Sequence, residues 1–364
     1  MRKSIKSALA IVLALSCICM IAACGGGSTS SGAAPAASAE TPASSAAPAN
    51  NGQKYVLRMG NTAAYPAQPP WIMREFKRQI EEATDQIEVQ LYEASAFGGP
   101  NEMIQGLQSG AMQAVLIPSG FYGSAAPDVG ILDLPGLFAN PEECTWVLNQ
   151  DTPQLDAYFA QQGFVPIAWF YETNRDFLTL TPVHSLADFK GMNLRTYTVD
   201  VSQENIRAIG ANPVIMGTAD LPMALQQKTV DGTEAGVTMM APAKYYDLAK
   251  YFVTELGAPL CNPCIMSKDF LDSLPEDLRE LVVTTMHDIC MGSGMDYALE
   301  YCAAAYQEMR DNGVEFTEAD AQFKQDYLDA TAYITTDFLA QRPHMQPVYD
   351  ELQALIAEYR SANP

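Results

Sequence analysis

The pattern of apolar and polar positions predicts alternating strands and helices from residue 55 onward. Three short apolar runs predict strands: 55–60, 87–91 and 114–117. The spacing of Trp71, Phe76 and Ile80 predicts a helix over 69–84, and a second helix is expected to end at Gly110. The resulting βαβαβ order is typical of a mainly parallel sheet covered by helices.

The alternation resumes in the second half of the chain. Further strands are expected at 165–170, 177–180, 192–195 and 213–216. Short helices are expected at 185–190, 200–209 and 220–228. From Pro275 onward the apolar residues recur at helical spacing almost to the end. Two α/β units followed by long C-terminal helices predict an α/β fold with two lobes.

The N-terminal segment has the pattern of a bacterial export signal. The first six residues carry three basic side chains, and the apolar run 8–23 is too short to span a membrane. The run ends on two alanines before Cys24, an order similar to the lipobox of bacterial lipoproteins. We therefore expect 1–23 to be a lipoprotein signal peptide and Cys24 to carry lipid. Ordinary cleavage after Ala23, with Cys24 left free, is the alternative.

The segment 24–52 is expected to be a lipidated, flexible tether. It contains mainly Gly, Ser, Ala, Pro, Thr and Asn, with Glu40 as its single charge, and has little to bury. The whole chain has a net charge of −22, and loss of the three basic residues of the signal makes it −25. Such a chain is repelled by phosphate backbones, which argues against a nucleic-acid partner.

The cysteines do not indicate a disulfide framework or a metal site. Five remain beyond Cys24: Cys144, Cys261, Cys264, Cys290 and Cys302. Cys261 and Cys264 have the C-x-x-C spacing of redox enzymes, but no second pair exists and the three histidines are scattered. Buried thiols, or one local disulfide across the Asn-Pro turn, are the simpler interpretations. We expect no metal, cofactor or catalytic group.

Several segments, in order and spacing, resemble the solute-binding receptors of tripartite ATP-independent periplasmic (TRAP) transporters, the DctP-like family. They are FGGPNEMIQGLQSGAMQAV, LDLPGLF, YETNRDFLTLTPVHSLADFKGMNLRTY, ADLPMALQQKTVDGTE and SKDFLDSLPEDLRELV. The resemblance covers nearly all of 54–364. The combination of KGMNLR with LQQKTVDGTE is specific, whereas either segment alone would be weak support.

The resemblance implies a two-lobed periplasmic-binding-protein fold, class II-like, that closes on its ligand like a clamshell. Lobe I is expected to comprise 53–172 and 261–300, and lobe II 173–260 and 301–364, with one long helix shared by both. The implied protein is not an enzyme and uses no cofactor. Its implied partners are a small-molecule carboxylate, the small and large TRAP membrane subunits, and the membrane through the lipid anchor.

The resemblance also suggests the ligand-binding residues. Arg195 matches the arginine that binds the ligand carboxylate, and a guanidinium can take a carboxylate through two charge-assisted hydrogen bonds. Arg175 matches a second arginine that contacts ligand in many members, with a structural role at the domain crossing as the alternative. The remaining candidates are Tyr197, Asn61, Thr62, Ser119, Phe121, Thr218 and Glu234.

Departures from the family pattern bear on specificity. Ala235 and Gly236 stand where many members have Asn and Pro, so one usual polar contact is lost. Trp169 and Tyr171 precede Arg175, and with Tyr197 they suggest an organic acid with an apolar or aromatic body. The alternatives are a lipid-anchored receptor of an ATP-driven (ABC) importer and, with less support, a surface hydrolase or redox lipoprotein.

Overall fold

The computed structural model of the protein describes residues 54–363, so the expected signal peptide, tether and Cys24 lie outside the described residues. The strands are β1 Tyr55–Gly60, β2 Ile87–Tyr92, β3 Ala114–Leu116, β4 Phe164–Asn174, β5 Asp176–Thr179, β6 Asn193–Thr196, β7 Asn212–Ile215, β8 Gly232–Ala235, β9 Tyr251–Thr254, β10 Pro259–Ser267 and β11 Glu315–Glu318. The helices are α1 Gln68–Ala83, α2 Pro100–Ser109, α3 Pro141–Leu148, α4 Pro153–Ala160, α5 Asp200–Ala208, α6 Leu221–Gln226, α7 Val237–Met240, α8 Lys268–Ser273, α9 Glu276–Met291, α10 Ser293–Asp311, α11 Ala321–Gln341 and α12 Gln346–Ala362. Short 3₁₀ helices occupy Ser119–Ser124, Pro127–Asp133, Leu186–Phe189, Tyr245–Asp247 and Pro343–Met345.

The first lobe is built on a five-stranded mixed sheet in the order β2-β1-β3-β10-β4. Strands β1, β2 and β3 are parallel, as the βαβαβ pattern predicted, and β10 runs antiparallel to both β3 and β4. Each face is covered by an apolar cluster, so β10 is buried along its whole length. The polar loops that follow the parallel strands therefore gather at one edge of the sheet.

The second lobe has a six-stranded sheet in the order β11-β9-β5-β8-β6-β7. Its central part alternates in direction, since β5 is antiparallel to β8 and β9 while β6 is parallel to β7 and β8. Two further apolar clusters cover its faces. The two sheets establish the α/β, two-lobed architecture expected from the sequence.

The chain crosses between the sheets at Arg175, between β4 and β5, and again between β9 and β10. The two crossings are hydrogen-bonded to each other, because the Arg175 N–H donates to the Ala258 carbonyl at 3.0 Å. A Cβ on Gly257 would lie 1.2 Å from the Arg175 carbonyl oxygen. Only glycine fits this approach, so the paired crossings form a closely packed hinge.

The C-terminal helices connect both lobes, and their positions correct two expectations. Helix α10 packs on α9 and β4 of the first lobe and on α7 of the second. Helix α12 packs on α3 and α4, so the assignment of all of 301–364 to lobe II is wrong at this last helix. The strand β11, which pairs with β9, interrupts the stretch expected to be nearly all helical. Among the described residues, no helix is both long and apolar enough to cross a membrane.

The C-x-x-C segment lies within strand β10 and does not form a turn. Cys261 belongs to the apolar cluster on one face of the sheet, and Cys264 belongs to the cluster on the opposite face. Both thiols are free and buried. The interpretation as a local disulfide across an Asn-Pro turn is therefore wrong, and the interpretation as buried thiols is confirmed. The C-x-x-C spacing therefore no longer supports the alternative of a redox lipoprotein.

Candidate functional site

Arg195 projects from β6, which lies between β8 and the edge strand β7 in the second lobe's sheet, and is 2% exposed. Its Nε donates to the Met216 carbonyl at 3.1 Å. Its Nη1 is buried and has no hydrogen-bond partner among the described residues, and no carboxylate of that part of the chain pairs with it. A buried guanidinium with a free N–H group is a strong binding group for an anion.

Arg175 lies at the hinge and contacts both lobes. Its Nη2 pairs with Asp133 Oδ1 at 3.1 Å, and its Nη1 donates to Ser202 Oγ at 2.9 Å. Asp133 ends the 3₁₀ helix 127–133 of the first lobe, whereas Ser202 is on α5 of the second lobe. The Arg175 side chain thus connects the lobes, a role that its predicted ligand contact did not include.

Tyr197 brings the two arginines into one site. The guanidinium carbon of Arg195 is 4.5 Å from the centre of the Tyr197 ring, and that of Arg175 is 5.1 Å from it. Both distances are within the range of cation–π attraction. The one ring therefore attracts both positive groups.

Two buried carboxyl groups accompany the arginines. Glu234 on β8 accepts a hydrogen bond from Thr196 Oγ1 at 2.7 Å, and Asp133 pairs with Arg175. Burial raises the pKa of both carboxyl groups, and the Arg175 guanidinium opposes the shift in each case. The site therefore contains negative as well as positive groups.

The other candidates in the first lobe have different surroundings. Asn61 is fully engaged within that lobe, because its Nδ2 donates to the Leu116 carbonyl and its Oδ1 accepts from the Ala63 N–H. Thr62 is half-buried in the same loop. Ser119 is buried, and its Oγ lacks a hydrogen-bond partner within residues 54–363. Phe121 is half-buried against the first lobe's core.

Thr218 is exposed, in the second lobe's loop after β7. Its carbonyl, rather than its hydroxyl, accepts a hydrogen bond, from Tyr245 Oη at 3.1 Å. The 3₁₀ helix that begins at Ser119 reaches Arg175, since a Cβ on Gly120 would lie 3.9 Å from Arg175 Nη2. Five of the predicted residues therefore lie around the space between the lobes, here called the cleft: Ser119, Arg175, Tyr197, Arg195 and Glu234. Asn61 has a structural role in fastening the strand ends, and the ligand roles of all nine residues stay predictions.

Trp169 and Tyr171 belong to the core of the first lobe. Trp169 packs edge-on against Phe159, with ring centres 5.9 Å apart, and the Tyr171 hydroxyl donates to Asn174 Oδ1 at 3.2 Å. Both are less than 5% exposed. They give no support to an aromatic ligand, which leaves Tyr197 and Phe121 as the remaining aromatic residues among those predicted from the sequence.

A second polar network, around Asn262 and Glu172, was not predicted from the sequence. Asn262, between the two cysteines, accepts from the Ser119 N–H at 3.2 Å and donates to Glu172 Oε2 at 2.5 Å. Thr238 of the second lobe donates to Glu172 Oε1 at 3.4 Å. Burial raises the pKa of Glu172 to about 7. The only signal in the sequence was a buried asparagine within an otherwise apolar strand.

The raised pKa of Glu172 predicts a pH effect on stability. Between the ordinary carboxyl pKa of 4.5 and the folded value of about 7, the folded protein holds a proton that the unfolded chain has released. This group therefore lowers the free energy of unfolding as pH rises through that window. We expect Glu172→Gln to gain on the order of 2 kcal/mol relative to wild type between pH 5 and pH 8.

Chemical denaturation at the two pH values measures that gain. The matched control is Glu142→Gln, which changes an exposed glutamate on α3 and should show the same difference from wild type at both values. An equally constant difference for Glu172→Gln would show that the Glu172 carboxyl does not titrate near neutral pH.

A cavity of about 440 Å³ opens beside the Arg175–Asp133 pair. Its inner wall includes Asp133, Arg175, Ser202, Asn205, Glu234 and Tyr327. Of the residues predicted from the sequence, Arg175 and Glu234 line it, whereas Arg195 and Tyr197 are not part of its wall. Within the described residues, no cluster of three or more His, Cys, Asp or Glu side chains could hold a metal ion.

Comparison with known proteins gives a consistent result. The profile of the family described as bacterial extracellular solute-binding protein, family 7 (DctP), matches residues 72–342. The C4-dicarboxylate-binding periplasmic protein DctP of Rhodobacter capsulatus is 28% identical over 68% of this chain and 75% of its own. The uncharacterized protein YiiZ of Salmonella typhimurium is 25% identical over 76% of this chain and 84% of its own.

Solved structures show the same architecture. A TRAP periplasmic solute-binding protein from Desulfovibrio salexigens with bound orotic acid superposes with a TM-score of 0.78. It is 22% identical in sequence, and the match covers 84% of this chain and 99% of that one. At this level of identity the likeness concerns the fold.

Proposed function

The chain belongs to family 7 of the bacterial extracellular solute-binding proteins, and from that premise we propose that it is the receptor subunit of a TRAP transporter. It captures an organic acid outside the cytoplasm and delivers it to the membrane subunits. The relative from Rhodobacter is named for C4-dicarboxylate binding, and the structural neighbour holds orotic acid; both ligands are acids. No bond is made or broken in this proposal.

The observation that carries the proposal is the buried Nη1 of Arg195, which has no hydrogen-bond partner in the part of the chain that the structure describes. Burying a charged group without a partner costs free energy, and an acid bound to this guanidinium would offset that cost. The two arginines also explain how a protein of net charge −22 holds an anion. Surface carboxylates beyond about 8 Å are screened by physiological salt, whereas charges inside a closed cleft interact strongly.

Closure of the lobes completes the proposed mechanism. Arg175 contacts Asp133 of the first lobe and Ser202 of the second, so these two contacts join the lobes. A ligand that contacts both lobes has higher affinity for the closed form and so shifts the population toward it. The closed form is then the one that docks on the two membrane subunits.

We further propose that the acid has an apolar or aromatic body that lies against Tyr197 and Phe121. A thermal-shift panel tests this preference, because a ligand bound far above its Kd raises the unfolding temperature by several degrees. Branched or aromatic acids should stabilise the protein, and polyhydroxylated sugar acids should not. The reverse result would refute the apolar body while leaving an acid receptor in place.

The proposed lipid anchor is tested separately at Cys24. Cys24→Ser removes the thiol that would carry the lipid. We expect the variant to be released into the soluble extracytoplasmic fraction with unchanged ligand binding. Fractionation with immunoblotting measures this, and a variant that stays with the membrane would contradict the anchor.

A further inference from the structure

Only one of the two carboxylate oxygens of Asp133 has a polar partner among the described residues. Its Oδ1 takes one contact from Arg175 at 3.1 Å, and its Oδ2 is buried without a hydrogen-bond partner among the described residues. Asp133 also lines the 440 Å³ cavity beside the hinge. Because a buried carboxylate normally accepts several hydrogen bonds, Oδ2 is suited to accept one from a molecule in that cavity.

The charge balance of the cleft points in the same direction. Two guanidinium groups, on Arg175 and Arg195, face two buried carboxyl groups: Asp133 pairs with Arg175, and Glu234 on β8 lies within electrostatic reach of both arginines. A simple carboxylate ligand would add a third acidic group to a site whose two positive groups already have matching carboxyl groups. Burying such an uncompensated charge is costly, and a positive group on the ligand would reduce the cost.

We propose that the ligand is a small zwitterionic acid and that Asp133 selects it by accepting a hydrogen bond from its protonated nitrogen. This rests on the proposed function, because Arg195 takes the carboxylate of the same molecule. The contacts from Arg195 to Tyr197 at 4.5 Å, from Tyr197 to Arg175 at 5.1 Å and from Arg175 to Asp133 at 3.1 Å form one continuous path, which the ligand would have to span. Asp133 is thus a specificity-determining residue that sequence reasoning did not identify.

A second way to balance the charge is uptake of a proton by Asp133 or Glu234 when an ordinary acid binds. The two arrangements differ in what the ligand must contain. A zwitterion supplies its own positive charge, whereas proton uptake leaves the protein indifferent to an amino group on the ligand. Binding measurements on matched ligands therefore distinguish the two.

The experiment compares three sets of probes on the wild-type protein by thermal shift and calorimetry. The first set is α- and ω-amino acids of two to six carbons with apolar and polar bodies. The second has the same skeletons with the amino group replaced by hydroxyl or hydrogen, and the third has the corresponding amines without the carboxylate. We expect the best amino acid to bind at least ten-fold more tightly than its amine-free counterpart.

Each other outcome overturns a defined part of the account. Equal or tighter binding of the amine-free acids, or no binding by any amino acid, overturns the zwitterion proposal, and binding of amine-free acids leaves the acid receptor intact. Tight binding of the carboxylate-free amines, undiminished in Arg195→Ala, overturns the proposed function itself.

The variant Asp133→Asn tests the residue. We expect it to reduce the preference for amino acids over amine-free acids at least ten-fold while changing the affinity for amine-free acids only a few-fold. A purely structural role would weaken both classes equally. Asp128→Asn is the control, because Asp128 is on the same 3₁₀ helix but pairs with Arg342 at 2.8 Å. If Asp133→Asn fails to fold, the comparison of the three probe sets on the wild-type protein still tests whether the ligand is a zwitterion.

Discussion

Arg195→Ala is expected to abolish ligand-induced stabilisation while leaving the protein folded. The side chain forms no ion pair with a described carboxylate, and its Nη1 has no partner within residues 54–363. Its loss from the unliganded protein therefore removes only the hydrogen bond to Met216 and the contact with Tyr197. For the ligand, two charge-assisted hydrogen bonds are lost, each worth roughly 1.5–3 kcal/mol. We therefore expect an affinity loss of about 100-fold or more, measured by calorimetry or thermal shift.

Arg207→Ala provides the matched control. Arg207 is exposed on α5, where it pairs with Glu204 at 3.0 Å, and its removal changes the net charge of the protein equally. Its effect on ligand affinity should be within two- to three-fold of wild type. Equal effects of the two substitutions would mean that Arg195 acts through overall charge rather than through contact with the carboxylate.

Arg175→Ala is expected to have the largest effect on stability. The substitution removes the partner of Asp133 and leaves a buried carboxylate without compensation, which costs about 3–5 kcal/mol in comparable cases. It also removes the contact with Ser202 that joins the lobes. Urea unfolding should show this loss, and ligand affinity should fall with it because closure is less favourable.

Two further variants test whether Asp133 is the cause. The double variant Asp133→Ala/Arg175→Ala removes both charges and should recover much of the lost stability. Arg342→Ala removes another arginine that spans the lobes, bound to Asp128 at 2.8 Å and Asp200 at 3.1 Å. It is more exposed, so its loss should cost about 1 kcal/mol or less. Comparable losses for Arg175→Ala and Arg342→Ala would contradict the importance of burial.

Local patterns predicted much of the fold. The apolar strands and the two helices of the first βαβαβ unit are confirmed, with Gly110 ending α2 in the left-handed conformation. The strand β11 was missed because the four residues Glu315–Glu318 alternate weakly and are half exposed. The position of α12 was missed because packing between distant segments leaves no periodic signal in either segment.

The site was predictable only in part, for a similar reason. Arg195 and Arg175 stood out because flanking segments resemble a family. Asp133, Glu172 and Asn262 did not, because a carboxylate or amide becomes informative only through burial and through which atoms lack partners. In a sequence with 43 acidic residues, no single carboxylate could be chosen before the fold placed Asp133 against Arg175.

The most direct test of the central claim is mass spectrometry of the small molecules released when the purified protein is denatured. Wild-type protein and Arg195→Ala should be prepared in parallel from the same cells. The account predicts that an acid is released from wild type in stoichiometric amount and is absent from the variant. Release of a neutral compound, or of the same acid in equal amount from both proteins, would contradict binding of a carboxylate by Arg195.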